Sequence, residues 1–322
     1  MRLAGSRFLV IGRAGMDLYP DPPGTRTEEA DGFFACLGGS SANIAVAITR
    51  LGGSADLVTC VADDAIGRFA LNELDRYGIG RAHVRSVGGE ARNTLAIVES
   101  RVEDHQSVIY RNGAADFEMT EADVAGLDYA AYDALITTGT VFAAEPSRAA
   151  AFRAFELARA AGVPLIFDID YRPYSWPSAK VAAEVYSRAG AMCDAIIGND
   201  VEFGFMAGDY AKGLDKARKL VAGGAQLAVY KMGEKGAITI TPAREITTGI
   251  YPAEPLKPTG AGDSFLGGLA MGLADGLALR DAVLQGSAAA AMVVARVGCA
   301  PAMPTRAELT DFIARHPAPV AV

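Results

Sequence analysis

Basic charge is in short supply in this chain. The 30 Lys and Arg residues stand against 38 Asp and Glu, a formal net charge of -8, so no cationic surplus is available to hold a phosphodiester backbone or an anionic membrane. We expect neither nucleic acid nor membrane as a partner. No apolar run approaches the roughly 20 residues of a membrane helix, and Met1–Ser6 leads into a strand without a signal-peptide pattern. A cytoplasmic protein is therefore expected. Histidine is scarce as well: His83, His105 and His316 share no metal-ligand spacing with Cys36, Cys60, Cys193 and Cys299, which form no Cys-x-x-Cys pair. The four cysteines read as reduced, mostly buried thiols. Two phosphate-binding signatures are missing too. There is no Gly-x-x-x-x-Gly-Lys-Ser/Thr and no Gly-x-Gly-x-x-Gly, which removes support for a P-loop nucleotidase or a dinucleotide-dependent oxidoreductase.

What is present is an ordinary globular composition, 51% hydrophobic and 21% charged over 322 residues. Short apolar runs alternate with longer amphipathic ones, the pattern of an α/β fold with a mostly parallel sheet covered by helices on both faces. Strands are predicted at Phe8–Gly12, Asp56–Val61, Ala134–Thr138, Pro164–Asp168, Ala195–Gly198 and Leu227–Lys231. Helices are predicted at Ser40–Leu51 and Ser147–Ala161, each stopped by a glycine. Two stretches break the rhythm, residues 13–36 and 85–115, where Thr94–Glu99 and Ser107–Arg111 read as an antiparallel pair. They suggest a small β lid on one domain spanning 1–322. The His316–Pro319 tail is expected to be loose.

The segment Thr259-Gly260-Ala261-Gly262-Asp263 precedes a helix whose apolar face carries Phe265, Leu266, Leu269 and Leu273. Small residues allow close backbone approach, and the unpaired N–H groups of a helix start attract anions. Such amides suit phosphoryl transfer, which is mainly positioning and charge stabilisation, with one carboxylate to take a proton. Asp263 stands where that carboxylate would be. By itself the pattern equally describes an Asp that caps a helix, and a helix N-terminus would lower its pKa and weaken it as a base.

Read with its companions, the chain resembles the ribokinase-like family of carbohydrate kinases over nearly its whole length. Gly38-Gly39-Ser40-Ser41-Ala42-Asn43 resembles the family's first signature, and Thr259–Asp263 its second, about 220 residues later. The resemblance implies ATP and magnesium as cofactors, Asp263 as base, and the amides of Gly260, Ala261, Gly262 and Asp263 as an anion hole. It implies that Asp17, Gly39 and Asn43 bind sugar hydroxyls. Asn199 and Glu202 match the Asn-x-x-Glu that helps place magnesium indirectly; a helix cap is the alternative. Lys231, Gly233, Gly236 and Thr259 fall on the nucleotide side, and the lid would be a surface on which two copies pair.

Within that family, Ile11–Leu18, Tyr110-Arg111, Asp168–Trp176 and Ala302–Thr305 resemble the branch that phosphorylates a keto sugar acid in inositol catabolism. A carboxylate is well held by a guanidinium fork, and Arg172, then Arg13, then Arg111 are the candidates. The alternatives are a kinase of 2-keto-3-deoxygluconate or fructose, or a sensor that keeps the fold without the chemistry. One departure stands out. Where the family commonly carries an Asp that helps hold a monovalent cation, this chain has Lys257. An ammonium there would replace the ion, so little added potassium is expected to be needed; a solvent-pointing Lys257 is the alternative.

Overall fold

The computed structural model describes residues 1–320. Strand β1 (Arg7–Ile11) leads through Gly12–Ala14 into β2 (Gly15–Asp21), which pairs antiparallel with β3 (Gly32–Gly38). Helix α1 (Ser40–Arg50), β4 (Ser54–Ala62), α2 (Ala65–Arg76) and β5 (Gly80–Val87) follow, then β6 (Leu95–Val98), β7 (Ser107–Tyr110) and the short α3 (Glu121–Ala125). Strand and helix next alternate through β8 (Ala134–Thr138), α4 (Ser147–Ala160), β9 (Leu165–Asp168), α5 (Ala179–Met192) and β10 (Ala195–Asn199). After α6 (Asp200–Ala207), α7 (Gly213–Ala222) and β11 (Leu227–Lys231), the hairpin β12 (Ala237–Ile240) and β13 (Glu245–Thr248) ends the strands. Three helices close the chain: α8 (Ala261–Ala274), α9 (Leu279–Val294) and α10 (Arg306–Arg315).

Nine strands form one sheet in the order β13-β12-β11-β10-β9-β8-β1-β4-β5, parallel from β11 to β5 and antiparallel at β12 and β13. Its strands are apolar on both faces because both are covered. Phe8 and Val10 enter a core under α1, α8 and α9, while Leu9 and Ile11 enter a second core under α4, α5 and α7. Chain order runs outward from β1 in both directions, so a crevice opens at the carboxyl ends of the central strands, where ligands of such sheets bind.

The second sheet, β3-β2-β6-β7, has four strands. It contains the antiparallel pair expected near 94–111 and a long stretch of 13–36, but residues 85–87 belong to β5 at the edge of the large sheet. That edge strand reads Gly-Arg-Ala-His-Val-Arg-Ser-Val, half-exposed throughout, and so lacks the apolar run by which the central strands are recognised. The tail expected to be loose makes contacts: His316 stacks on Phe312 at 4.2 Å, and the Pro319 carbonyl lies 3.5 Å from the Arg280 guanidinium.

Candidate active site

A cavity of about 860 Å³ opens at the strand ends, between the large sheet and the small one, in the size range of small-molecule sites. A hollow of about 930 Å³ along α5 and α6 is larger, but it lies away from the strand ends and holds none of the groups described below.

On one side the cavity is built by the turn before α1. Gly39 has φ +93, and a Cβ there would sit 2.5 Å from the Arg13 carbonyl oxygen, so only glycine lets the two chains meet. This contact sets Asp17 of β2 beside the first turn of α1. Asp17 is buried, and desolvation pushes its carboxyl up to about 6, with the charges of Arg13 and Lys257 holding it down in part. Asn43, in the first turn of α1, donates from Nδ2 to Asp263 Oδ2 at 3.0 Å across 220 residues of sequence. Its Oδ1 is buried without a partner among the described residues.

Opposite lies the start of α8. Gly260 is left-handed at φ +82, and no side chain caps the helix. Ser264 N–H already bonds the Gly260 carbonyl, whereas the amides of Ala261, Gly262 and Asp263 belong to the turn that has no intrahelical acceptor. Asp263 therefore does not cap its own helix. Its carboxyl is pushed up to about 7, first by burial and next by the nearby charge of Asp170, against the opposing pull of Asn43, Arg172 and Arg13. The lowering expected from the helix N-terminus is outweighed by desolvation. Thr259 is half-buried, with its Oγ1 unpartnered among the described residues.

The third wall comes from β10 and β11. Asn199 caps α6 reciprocally: its Oδ1 accepts from Glu202 N–H at 2.9 Å, and Glu202 Oε2 accepts from Asn199 N–H at 2.8 Å. Glu202 Oε1 accepts from Tyr171 N–H at 3.3 Å. At the end of β11, Lys231 forms no ion pair among the described residues and holds its Nζ 5.4 Å from the Phe265 ring centroid, beside Gly262. Gly233 and Gly236 form the turn to β12 at the rim.

The three arginines separate. Arg13 is 6% exposed, makes no ion pair among the described residues, and leaves Nε without a partner. Arg172 Nη2 is committed to Asp170 Oδ1 at 2.7 Å. Arg111 is not part of the cavity wall: it pairs with buried Asp116, donates to the Thr140 carbonyl at 3.0 Å, and lies 4.1 Å over Phe117. Its charge is already answered by a carboxylate five residues on. Lys257, for which a solvent-pointing side chain was one alternative, is wholly buried.

Asp168 and Asp170 line the cavity without having been singled out from the sequence. Asp168 is buried, and desolvation raises its carboxyl well above the usual range, with Lys231 opposing. Asp170 sits at φ +38, unusual for a residue with a side chain, and its Oδ2 has no partner among the described residues. The signal that could have found them is position. Both stand at the carboxyl end of a central parallel strand, where ligands gather.

Comparison with known proteins covers nearly the whole chain. A model of the pfkB family carbohydrate kinases matches residues 6–306. Two curated relatives named 5-dehydro-2-deoxygluconokinase are 38% identical over 310 residues in Photobacterium profundum and 36% over 314 in Geobacillus kaustophilus. The alignments cover 95% and 96% of this chain and 94% of each relative. Among solved structures, a PfkB protein from Polaromonas is 27% identical with a TM-score of 0.82, over 95% of this chain and 99% of its own. A fructokinase double mutant from Vibrio cholerae, solved in its fructose-, ADP- and potassium-bound form, is 25% identical with a TM-score of 0.84, over 97% and 99%. A strand-end cavity with an uncapped helix start, in a chain matched from residue 6 to 306, is that of a sugar kinase, and the chain belongs to the pfkB family of carbohydrate kinases.

Proposed function

We propose that this kinase transfers the γ-phosphoryl group of ATP to the 6-hydroxyl of 5-dehydro-2-deoxygluconate, as the names of its relatives suggest. The observation that carries the choice of a sugar acid is Arg13, a buried guanidinium in the cavity wall that forms no ion pair among the described residues, although the charges of Asp17 and Asp170 reach it. A buried charge is costly unless paired, and a substrate carboxylate is the anion that would pair it. Arg172, held by Asp170, borders the same space.

In this reading Asp17, Gly39 and Asn43 hold the sugar hydroxyls, and Asn43 also aims the Asp263 carboxylate. Asp263 takes the proton of the attacking hydroxyl as the new P–O bond forms and the bond to the β-phosphate oxygen breaks, leaving ADP. The amides of Gly260, Ala261, Gly262 and Asp263 stabilise charge on the transferred group, with Lys231 beside them. Thr259, Gly233 and Gly236 shape the nucleotide side. Magnesium and ATP suit the cavity in this reading, since Asp168 and Glu202 line it with carboxyl groups. Magnesium bound with ATP would neutralise phosphate charge there, with Asn199 and Glu202 holding it through water.

A second surface belongs to the same proposal. Residues alternate across the small sheet, so Asp17, Ala96, Val98 and Ile109 face the cavity while Phe33, Val108 and Tyr110 leave an exposed apolar outer face. We place the pairing of two copies on that face of the lid, within a single domain spanning 1–322. Light scattering of Phe33→Glu against the unaltered protein tests it; an unchanged mass would sink the idea.

The substrate is tested by ADP release with magnesium-ATP and a panel of 5-dehydro-2-deoxygluconate, 2-keto-3-deoxygluconate and fructose. The expected result is the highest kcat/KM for the first. Preference for fructose would replace the sugar acid with a neutral ketohexose, the substrate type seen in the Vibrio cholerae neighbour.

A further inference from the structure

Lys257 is an ionisable side chain wholly shut off from solvent, and the mechanism above does not use it. Its backbone N–H bonds the Val294 carbonyl at 3.2 Å, anchoring it to the end of α9. Its Nζ turns back onto its own segment and donates to the Thr259 carbonyl at 2.6 Å, with the Val293 carbonyl at 3.4 Å. Those acceptors matter. Thr259 is the residue before Gly260, whose left-handed φ of +82 directs the chain into α8. A Cβ at Gly260 would lie 2.9 Å from Cys299 Sγ and 3.2 Å from Val293, so the turn is wedged against the same wall that holds the ammonium.

The groups around Nζ are few. Cys36 and Cys299 have thiols raised by burial, Cys299 to about 11, and so are neutral, while Tyr19 bonds Cys299 Sγ at 3.0 Å. Asp17 and Asp263 are the carboxylates whose charge reaches it, one on each side of the cavity. Burying an ammonium is costly even when carbonyls accept its hydrogens, and a Met of similar length would fill the space without that cost. Retaining a cation there requires a use for it.

We propose that Lys257 is a positioning residue, whose ammonium clamps the Thr259 and Val293 carbonyls so that the Gly260 turn presents the Ala261, Gly262 and Asp263 amides to the transferred phosphoryl group. This rests on reading those amides as the anion hole. The clamp is a small cation seated among carbonyl oxygens, so its chemistry can be supplied by a free ion once the side chain is gone.

The test compares the full-length protein with Lys257→Ala and Lys257→Met, measuring kcat and KM for ATP by ADP release and magnesium-ADP affinity by calorimetry. Each is measured in choline, lithium, sodium, potassium and ammonium salts, with circular dichroism to follow the fold. The unaltered protein is expected to be indifferent to the cation. Lys257→Ala should lose about 100-fold in kcat in choline, the scale of a small displacement of catalytic groups, and ammonium or potassium, but not lithium, should restore most of it. Lys257→Met, with the space filled, should be as slow in every salt. A Lys257→Ala protein that keeps its kcat in choline overturns the proposal, as does a folded one that no cation restores. Should Lys257→Ala fail to fold, Lys257→Met decides alone, and full activity in it is the overturning result. Were the unaltered protein to phosphorylate none of the sugars, the kinase reading would fail separately, and the cation dependence of ADP affinity would still judge Lys257.

Discussion

Two helices begin at the same cavity, and they begin differently. Helix α6 is closed by its own side chains, Asn199 and Glu202 answering each other's backbone N–H groups at 2.9 and 2.8 Å. Helix α8 starts from Gly260-Ala261-Gly262, which offer no acceptor, and its one acidic residue turns away to accept from Asn43 on another helix. A helix start that satisfies itself stabilises the fold; one left open holds its donors for a ligand. The same motif, an acid in the first turn, thus does two jobs. The difference lies in where the carboxylate finds its donors.

The sharpest way to break the comparison is Asp263→Asn. We expect kcat to fall by about 10³-fold, within the usual span for a general base, while the melting temperature holds or rises. The sign follows from the raised carboxyl: lifted from 3.8 to about 7 in the folded state, it costs stability as pH rises through that window, and Asn removes the cost. Near-full activity in this variant would remove Asp263 from the mechanism.

Arg13→Met comes next, and should lower kcat/KM for the sugar acid by about 100-fold, as expected for loss of a buried charge-assisted pair. Fructose should be used no worse than before. An equal loss for both sugars would assign Arg13 to the fold instead.

The pH profile sharpens the contrast between the two acids. With Asp263 proposed as the ionised base, kcat/KM is expected to fall about tenfold per pH unit below its pKa near 7. Removing the Asp170 charge in Asp170→Asn should move that limb to lower pH, because a neighbouring negative charge is one of the forces raising it. A limb that stays in place would mean burial alone sets it.

The smallest effect belongs to the closed helix. Asn199→Ala should lower stability by about 1 kcal/mol, the usual worth of an N-cap, read as a shift in urea midpoint at unchanged slope. Any change in KM for ATP beyond that shift reports the proposed second use of Asn199 near magnesium.

Much of the fold was legible because buried parallel strands write themselves as apolar runs: Phe8–Gly12, Ala134–Thr138 and Leu227–Lys231 all became strands within a residue or so. Strand β5 escaped because an edge strand is half-solvated and need not be apolar. In the site, Asp17, Gly39, Asn43 and Asp263 could be nominated from short patterns, and they do line one cavity. Arg111 could not be told from Arg13 by pattern, since what separates them is an ion pair with Asp116 for one and no ion pair among the described residues for the other.

By itself, the sequence determined the periodicities that make a covered parallel sheet, the glycines that allow left-handed turns at 39 and 260, and the absence of a charge surplus for polyanions. These are local or compositional properties, carried within a few residues or by simple counts. Only the tertiary structure decided that Asp263 accepts from Asn43 rather than capping α8, that Arg172 forms an ion pair while Arg13 forms none among the described residues, and that Lys257 is buried against two carbonyls. Each depends on which group arrives from far along the chain to exclude water or answer a charge.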